Sequence, residues 1–233
     1  IDIEEAAMEE RAVDGRVWNS RRDPHLTQRE ILDAAAKEFA EHGLDGARMD
    51  DIARGTNTSK RMIYYYFGSK ENLYKAVLHE NYLRIRSLET RLKLAELEPV
   101  DALKTLVRTT LGHYERHPDL ARIVGVENLI MHGRIAESIE GFKKLNRSAL
   151  DTLEDILRRG RESGAFRSGP DAPGALDVHQ VLSALILNRA SNRYTFRVAF
   201  DRDMLGRGQE KHIRSLIECT VLRLVLADPD GDA

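Results

Sequence analysis

The sequence predicts an all-α protein of about nine helices, built as an N-terminal three-helix unit followed by a larger helical C-terminal domain. Three observations carry this. Apolar residues recur at helical spacing through most of the 233 residues. Six prolines and sixteen glycines interrupt those stretches where helices would end. No convincing run of strand-type alternation is present.

The composition sets the frame for the elements. At 42% hydrophobic and 32% charged residues, the chain has material for a real core and is neither membrane-embedded nor disordered as a whole. Lys+Arg 36 against Asp+Glu 38 leaves a formal charge of -2, which excludes indiscriminate coating of nucleic acid but not a local basic face. The single cysteine, Cys219, forms no intrachain disulfide; beside Ile217, Val221 and Leu222 it reads as a small core residue. The first residues show no apolar signal segment, and no stretch approaches the roughly 18 apolar residues of a membrane span. A cytoplasmic protein without a membrane partner is expected.

Residues 1–24 read as a flexible arm. Asp2, Glu4, Glu5, Glu9, Glu10 and Asp14 face only Arg11, and then Arg16, Arg21 and Arg22 reverse the sign before Pro24. Residues 25–75 form the first unit. Thr27 with Glu30 reads as a capping box, Ile31, Leu32, Ala35 and Phe39 as the buried stripe, and Gly43 as the stop. Short helices are predicted around Asp50–Gly55 and Ser59–Phe67, with Asn57 at the turn, where a left-handed conformation is often required. Gly68-Ser69 breaks and recaps the chain. A longer helix from Ser69 to about Leu92 then leads into the second domain, residues 76–233, with Leu73, Val77, Leu78 and Tyr82 at helical spacing.

Beyond Pro99, helices are predicted over Ala102–Arg116, Pro118–Met131, Ile135–Glu162, Asp177–Arg197 and Gln209–Ala227, with Ser168–Gly174 as a loop. The last carries Ile213, Leu216, Ile217, Val221, Leu224 and Val225 as an apolar stripe. Val181, Leu182, Leu185 and Ile186 do the same in the helix before it.

The chemistry concentrates in the second short helix of the first unit. Ile63 and Phe67, four residues apart, make its buried side. Ser59, Lys60, Arg61 and Met62 cluster at its first turn. Tyr64, Tyr65 and Tyr66 follow at about 100° intervals, so all three cannot be core. Ammonium groups and hydroxyls near a helix N-terminus suit phosphate oxygens and base edges. Lys70 adds a cation at the next helix start, where the macrodipole disfavours it unless an anion is near.

Ile31-Leu-Asp-Ala-Ala with Phe39, Gly43, Asp51-Ile-Ala, Ser59-Lys60, Ile63-Tyr64 with Phe67, and Ser69-Lys-Glu with Leu73 together carry a resemblance. Residues 27–75, about a fifth of the chain, resemble the DNA-binding domain of the TetR family of bacterial transcriptional repressors. The resemblance implies a helical C-terminal domain that dimerises and binds a small-molecule effector, and a pseudo-palindromic double-stranded operator as partner. By position it implies that Lys60, Arg61 and Met62 approach bases, with Ser59 at the same turn. Tyr64, Tyr66 and Lys70 would hold phosphates, and Arg48 stands where the family often has a phosphate-contacting Thr or Ser. The sequence departs from the family's pattern at Asn57-Thr58, where Gly-Val is usual, and at Arg61, where a small residue is usual. Those departures bear on the turn and on base preference. The last two helices would pair with their mates in a four-helix bundle, although an intramolecular core explains the same stripes.

For the effector, Asn188, Asn192, Tyr194 and Phe196 interrupt an apolar helix with amide and aromatic groups, and Glu127, Met131 and Phe142 are candidates to face them. The same residue types also serve as satisfied hydrogen bonders between helices. His113 and His117 stand four apart, but without a third ligand they read as a solvated face rather than a metal pair. Asp228, Asp230 and Asp232 read as an acidic tail. No nucleophile elbow, phosphate loop or dinucleotide fingerprint is present, so neither an enzyme activity nor a cofactor is expected. The expected function is a DNA-binding regulator, a repressor released by its effector. The competing reading is a helical binding or scaffold protein without DNA-binding activity.

Overall fold

Eleven α-helices and one 3₁₀ turn make up the described residues, 24–206 and 208–228 of a computed structural model. Apart from Pro24, the N-terminal arm lies outside them, as do Asp230 and Asp232. Among the described residues the sole β-pairing is an isolated antiparallel bridge between Phe166 and Leu226.

The first helix, α1, spans Pro24–Gly46. Thr27 is therefore not its N-cap. Helical residues already precede it, and its side chain is buried. Gly43 does end the long run: its φ of 67°, a left-handed value that suits glycine, separates one last turn from the rest. Two short helices follow, α2 (Met49–Arg54) and α3 (Lys60–Phe67). Asn57 is not left-handed, because the turn is closed by a hydroxyl instead. Thr56 Oγ1 donates to the Ala53 carbonyl at 3.0 Å and accepts from the Thr58 N–H at 3.3 Å. Gly68 (φ 74°) then reverses the chain, and Ser69 caps α4 (Lys70–Arg91) by accepting from the Asn72 N–H at 3.0 Å.

A 3₁₀ turn (Leu94–Glu96) leads to α5 (Pro99–Arg116) and α6 (Pro118–Leu129), both opened by proline, which suits a first turn. The predicted helix over Ile135–Glu162 is two helices, α7 (Arg134–Glu137) and α8 (Phe142–Glu162), because Gly141 sits at φ 73° between them. The predicted helix over Asp177–Arg197 likewise divides at Asn192 into α9 (Ala175–Ser191) and α10 (Arg193–Phe200). The last helix, α11, spans Glu210–Val225.

These helices enclose two apolar cores. Ile31, Phe39, Ile52, Ile63, Leu73 and Tyr74 build the first, which continues past residue 75 to Val77 and Leu78 and takes in Leu120, Ile123 and Ile135 from α6 and α7. Phe39 and Tyr74 meet edge to face at 5.0 Å inside it. The second core joins α5, α8, α9 and α11. Most of the terminal stripes are spent there: Leu182, Ile186, Ile217, Val221 and Val225 are buried within this chain, whereas Leu176 and Leu216 stay more than half exposed.

Two small residues overturn their sequence reading. Cys219 is exposed rather than core, since it lies on the outward side of α11, opposite the turn of the helix that carries Ile217 and Val221 inward. His113 is not on a solvated face. It is 2% exposed, because it falls on the same side of α5 as the buried Ala102 and Leu106.

Candidate nucleic-acid interface and internal cavity

α3 is amphipathic by construction. Ser59 opens it, its hydroxyl accepting from the Met62 N–H at 3.2 Å. Ile63 is fully buried and Phe67 half-buried on the inward side. The outward side presents Lys60, Arg61, Tyr64 and Tyr65, with Met62 and Tyr66 half-buried between the two. Tyr66 is held edge-on by Tyr65 at 5.5 Å and by Phe67 at 6.5 Å, which fixes its ring at the margin of the face.

The cations around α3 differ in how they are held. Lys60 pairs with Asp50 of α2 at 2.9 Å, but both side chains are about half exposed, so the pair is weak and open to exchange for phosphate. Lys70 is engaged more firmly: its ammonium donates to the carbonyls of Asp45 and Ala47, each at 3.1 Å. Those carbonyls lie just past the kink in α1, where they relieve the unfavourable placement of a cation at a helix start. Arg48, next to Ala47, is exposed at the start of α2, with its backbone N–H donating to Glu38 Oε1 at 3.1 Å. The structure thus gathers Lys60, Arg61, Tyr64 and Tyr65 on one face, with Met62 and Tyr66 at its margins and Arg48 and Lys70 joined through Ala47.

A second feature lies inside the larger domain. A cavity of about 360 Å³ opens between α4, α5, α8 and α9. Leu106, Ala149, Leu153, Leu182 and Ile186 make its apolar wall. Tyr82 and Phe142 meet edge to face across it at 4.9 Å. At its polar end, Arg86 donates to Glu89 at 2.7 Å, with both side chains largely buried. Arg86 Nε has no hydrogen-bond partner among the described residues. Burial pushes the Glu89 carboxyl up, against the opposing pull of Arg86. Burial and then Arg86 hold the imidazole of His179, another lining residue, below the usual range.

The seven residues read as effector contacts from sequence fall in three places. Phe142 lines the cavity. Glu127 and Met131 are buried in or against the first core. There Glu127 Oε1 accepts from the Ile135 and Ala136 N–H groups at 2.9 Å each, capping α7, and its carboxylate faces the Tyr74 hydroxyl, whose pKa it raises after the larger effect of burial. Asn188, Asn192, Tyr194 and Phe196 are exposed on α9 and α10, away from the cavity lining. The Tyr194 ring is instead covered by the guanidinium groups of Arg122 and Arg197 at 5.4 and 5.9 Å.

Comparison with known proteins agrees with this architecture. Residues 31–77 match the family model described as bacterial regulatory proteins, tetR family, and residues 99–221 match that of the tetracyclin repressor-like C-terminal domain. The chain is similar to the HTH-type transcriptional repressor NicS of Pseudomonas putida, 34% identical over 72% of this chain and 78% of the relative. The chain belongs to the TetR family. It is also similar to the HTH-type transcriptional repressor SCO4008 of Streptomyces coelicolor, 36% identical over 66% of this chain and 75% of that protein. Its fold is similar to the ketosteroid transcriptional regulator KstR2 of Mycobacterium tuberculosis, with a TM-score of 0.65, 22% identity, and 92% of this chain and 98% of that one covered.

The TetR-family chain is accordingly a DNA-binding transcriptional regulator. Nothing in the comparisons supports the scaffold reading. The cavity of this TetR-family protein contains residues that sequence reasoning missed, chiefly Arg86, Glu89, Tyr114 and His179. The missed signal was on α4. Tyr82, Arg86 and Glu89 continue the inward stripe of Val77 and Leu78, so a charged pair at i, i+3 sat where apolar residues were due.

Proposed function

We propose that the protein is a repressor that binds a pseudo-palindromic operator as a homodimer and is released by a small, mainly apolar effector held in the cavity. One observation carries this reading: α4 belongs to both sites. Its first turns, with Leu73 and Tyr74, pack the unit that presents α3, and its later turns supply Tyr82, Arg86 and Glu89 to the cavity. A ligand that repacks the later turns therefore biases the placement of α3, which is the differential contact an effector needs. Lys60, Arg61 and Met62 read base edges in the major groove. Arg48, Tyr64, Tyr66 and Lys70 position the backbone, and Ser59 sets the helix start.

Leu176 and Leu216, exposed on α9 and α11, support those helices as the dimer contact. The protein acts by binding, without chemistry of its own, in the cytoplasm. No helix among the described residues is long and apolar enough to cross a membrane.

The test is selection of bound DNA from a random pool, followed by a metabolite screen for release measured by fluorescence anisotropy. Enrichment of an inverted repeat and its release by a compound of cavity size is the expected result. A pool that enriches nothing, or enrichment unchanged by Arg61→Ala with Lys60→Ala, overturns it.

A further inference from the structure

A cleft separate from the effector cavity lies where α1 crosses α4 and α5. Its volume is about 650 Å³. α1 contributes His25, Arg29 and Asp33; α4 contributes Glu80, Arg84, Ser87 and Arg91; and His113, Arg116 and His117 come from the end of α5. Four guanidinium groups face two carboxylates, a fixed charge of +2 before any imidazole is counted.

The carboxylates do not disperse this charge. Asp33 and Glu80 both bind Arg84, at 2.8 Å to Nη1 and 2.8 Å to Nε, and its buried Nη2 has no partner among the described residues. Arg116 donates one N–H to the Gly112 carbonyl at 2.9 Å and is otherwise exposed to the cleft. His113, 2% exposed, is also part of the lining, and its Nε2 has no partner among the described residues. Two buried polar nitrogens without partners among the described residues are costly, and the cleft sets guanidinium groups from three helices beside them.

We infer that this cleft binds a small polyanion carrying two or more oxyanion groups, of the phosphate or carboxylate type, between the DNA-reading unit and the helical body. A dianion matches the fixed charge. Arg29 and Arg116 close on it from α1 and α5, so the bound anion ties α1 to the body. The imidazoles agree in direction. Burial, then His117, then Arg116, Arg84 and Arg86 hold His113 low at about 4; burial, then Arg84 and Arg116, lower His117 against Asp33 and Asp119.

The experiment is isothermal titration of the full chain with pyrophosphate and, separately, with citrate, in a phosphate-free buffer at ionic strength fixed by sodium chloride. The expected result is saturable binding of at least one of them, one per chain, with the two arms separating phosphate from carboxylate preference. Arg29→Gln with Arg116→Gln, both exposed positions, should weaken it tenfold or more. Arg158→Gln, an exposed cation on α8 that lines neither cavity, should leave it unchanged. The His113 imidazole resonance should shift with the binding anion and not with equivalent chloride. Dilution heats alone for both anions, or a double variant that binds as tightly as the parent, overturns the inference. So does binding lost in Arg158→Gln but kept in the double variant.

Discussion

Lys70 Nζ lies 3.1 Å from the carbonyl oxygen of Ala47, and the same ammonium reaches Asp45 at 3.1 Å. A cation at the first residue of α4 thereby closes the end of α1. It secures the backbone from which Arg48 projects. Lys70→Ala should weaken binding to all DNA sequences alike by about tenfold, and lower stability by about 1 kcal/mol through the lost hydrogen bonds. Paired measurements of operator and non-specific affinity check this. A loss confined to operator would count against it.

Arg61 stands exposed in the first turn of α3 and should act differently. Arg61→Ala should relax preference at particular base pairs by about 1–3 kcal/mol while lowering non-specific affinity little. The parent protein's affinity should fall by roughly 10³ between 50 and 200 mM salt if a dimer neutralises about six phosphates. Selection profiles for parent and variant, with salt titrations, read both effects.

Filling the internal cavity should separate the two activities. Ala149 is buried and lines the apolar wall, so Ala149→Phe projects a ring into open volume. Operator affinity should stay within about threefold of the parent, while release by an effector identified in the screen should require at least tenfold more compound. Anisotropy competition measures both.

The pH dependence of folding should carry the mark of His113. Its folded value is about 4 against 6.5 for the free group. Between those values the unfolded chain takes up a proton that the folded chain refuses, so stability falls as pH drops from about 6.5 toward 4. From pH 7 to pH 5 the parent should lose about 1–2 kcal/mol more than His113→Phe. Urea denaturation in phosphate-free buffer provides the comparison.

Gly160 offers a test of packing. A Cβ placed there would overlap the ring of Phe166, which is 2% exposed, and the Phe166 N–H is itself bound to the Gly160 carbonyl at 2.9 Å. Gly160→Ala should cost about 2–3 kcal/mol by overpacking. Gly112→Ala, with nothing within 4 Å of its Cβ, should be neutral or stabilising by up to about 1 kcal/mol. Calorimetric melting of the pair decides the point.

The reading head was legible in the sequence because local chemistry fixes it. Ser59 and Ser69 cap, Gly68 reverses the chain, and Ile63 with Phe67 orients α3, all within a few residues of the features they determine. Gly141 and Asn192 were harder, because a break inside a long amphipathic pattern depends on how two segments pack rather than on any breaker run. The cavity was less legible again. Its polar end is a pair on α4, and its walls come from α5, α8 and α9, whose juxtaposition no periodicity reveals. Asn188 and Asn192 suggested a polar pocket by composition, but the turn of α9 directs them outward, while His179 and Ser183 face in.

The length of α4 has a mechanical consequence. Its 22 residues span about 33 Å, far longer than the displacement needed to spoil docking in a groove. A pivot of about 6° at the cavity end would sweep the Lys70 end through roughly 3.4 Å, close to the rise along the duplex axis between successive phosphates of one strand. In the proposed release mechanism the helix would work as a lever with gain. In that mechanism a side-chain adjustment too small to open the cavity would be enough to shift the reading head by one step of the duplex.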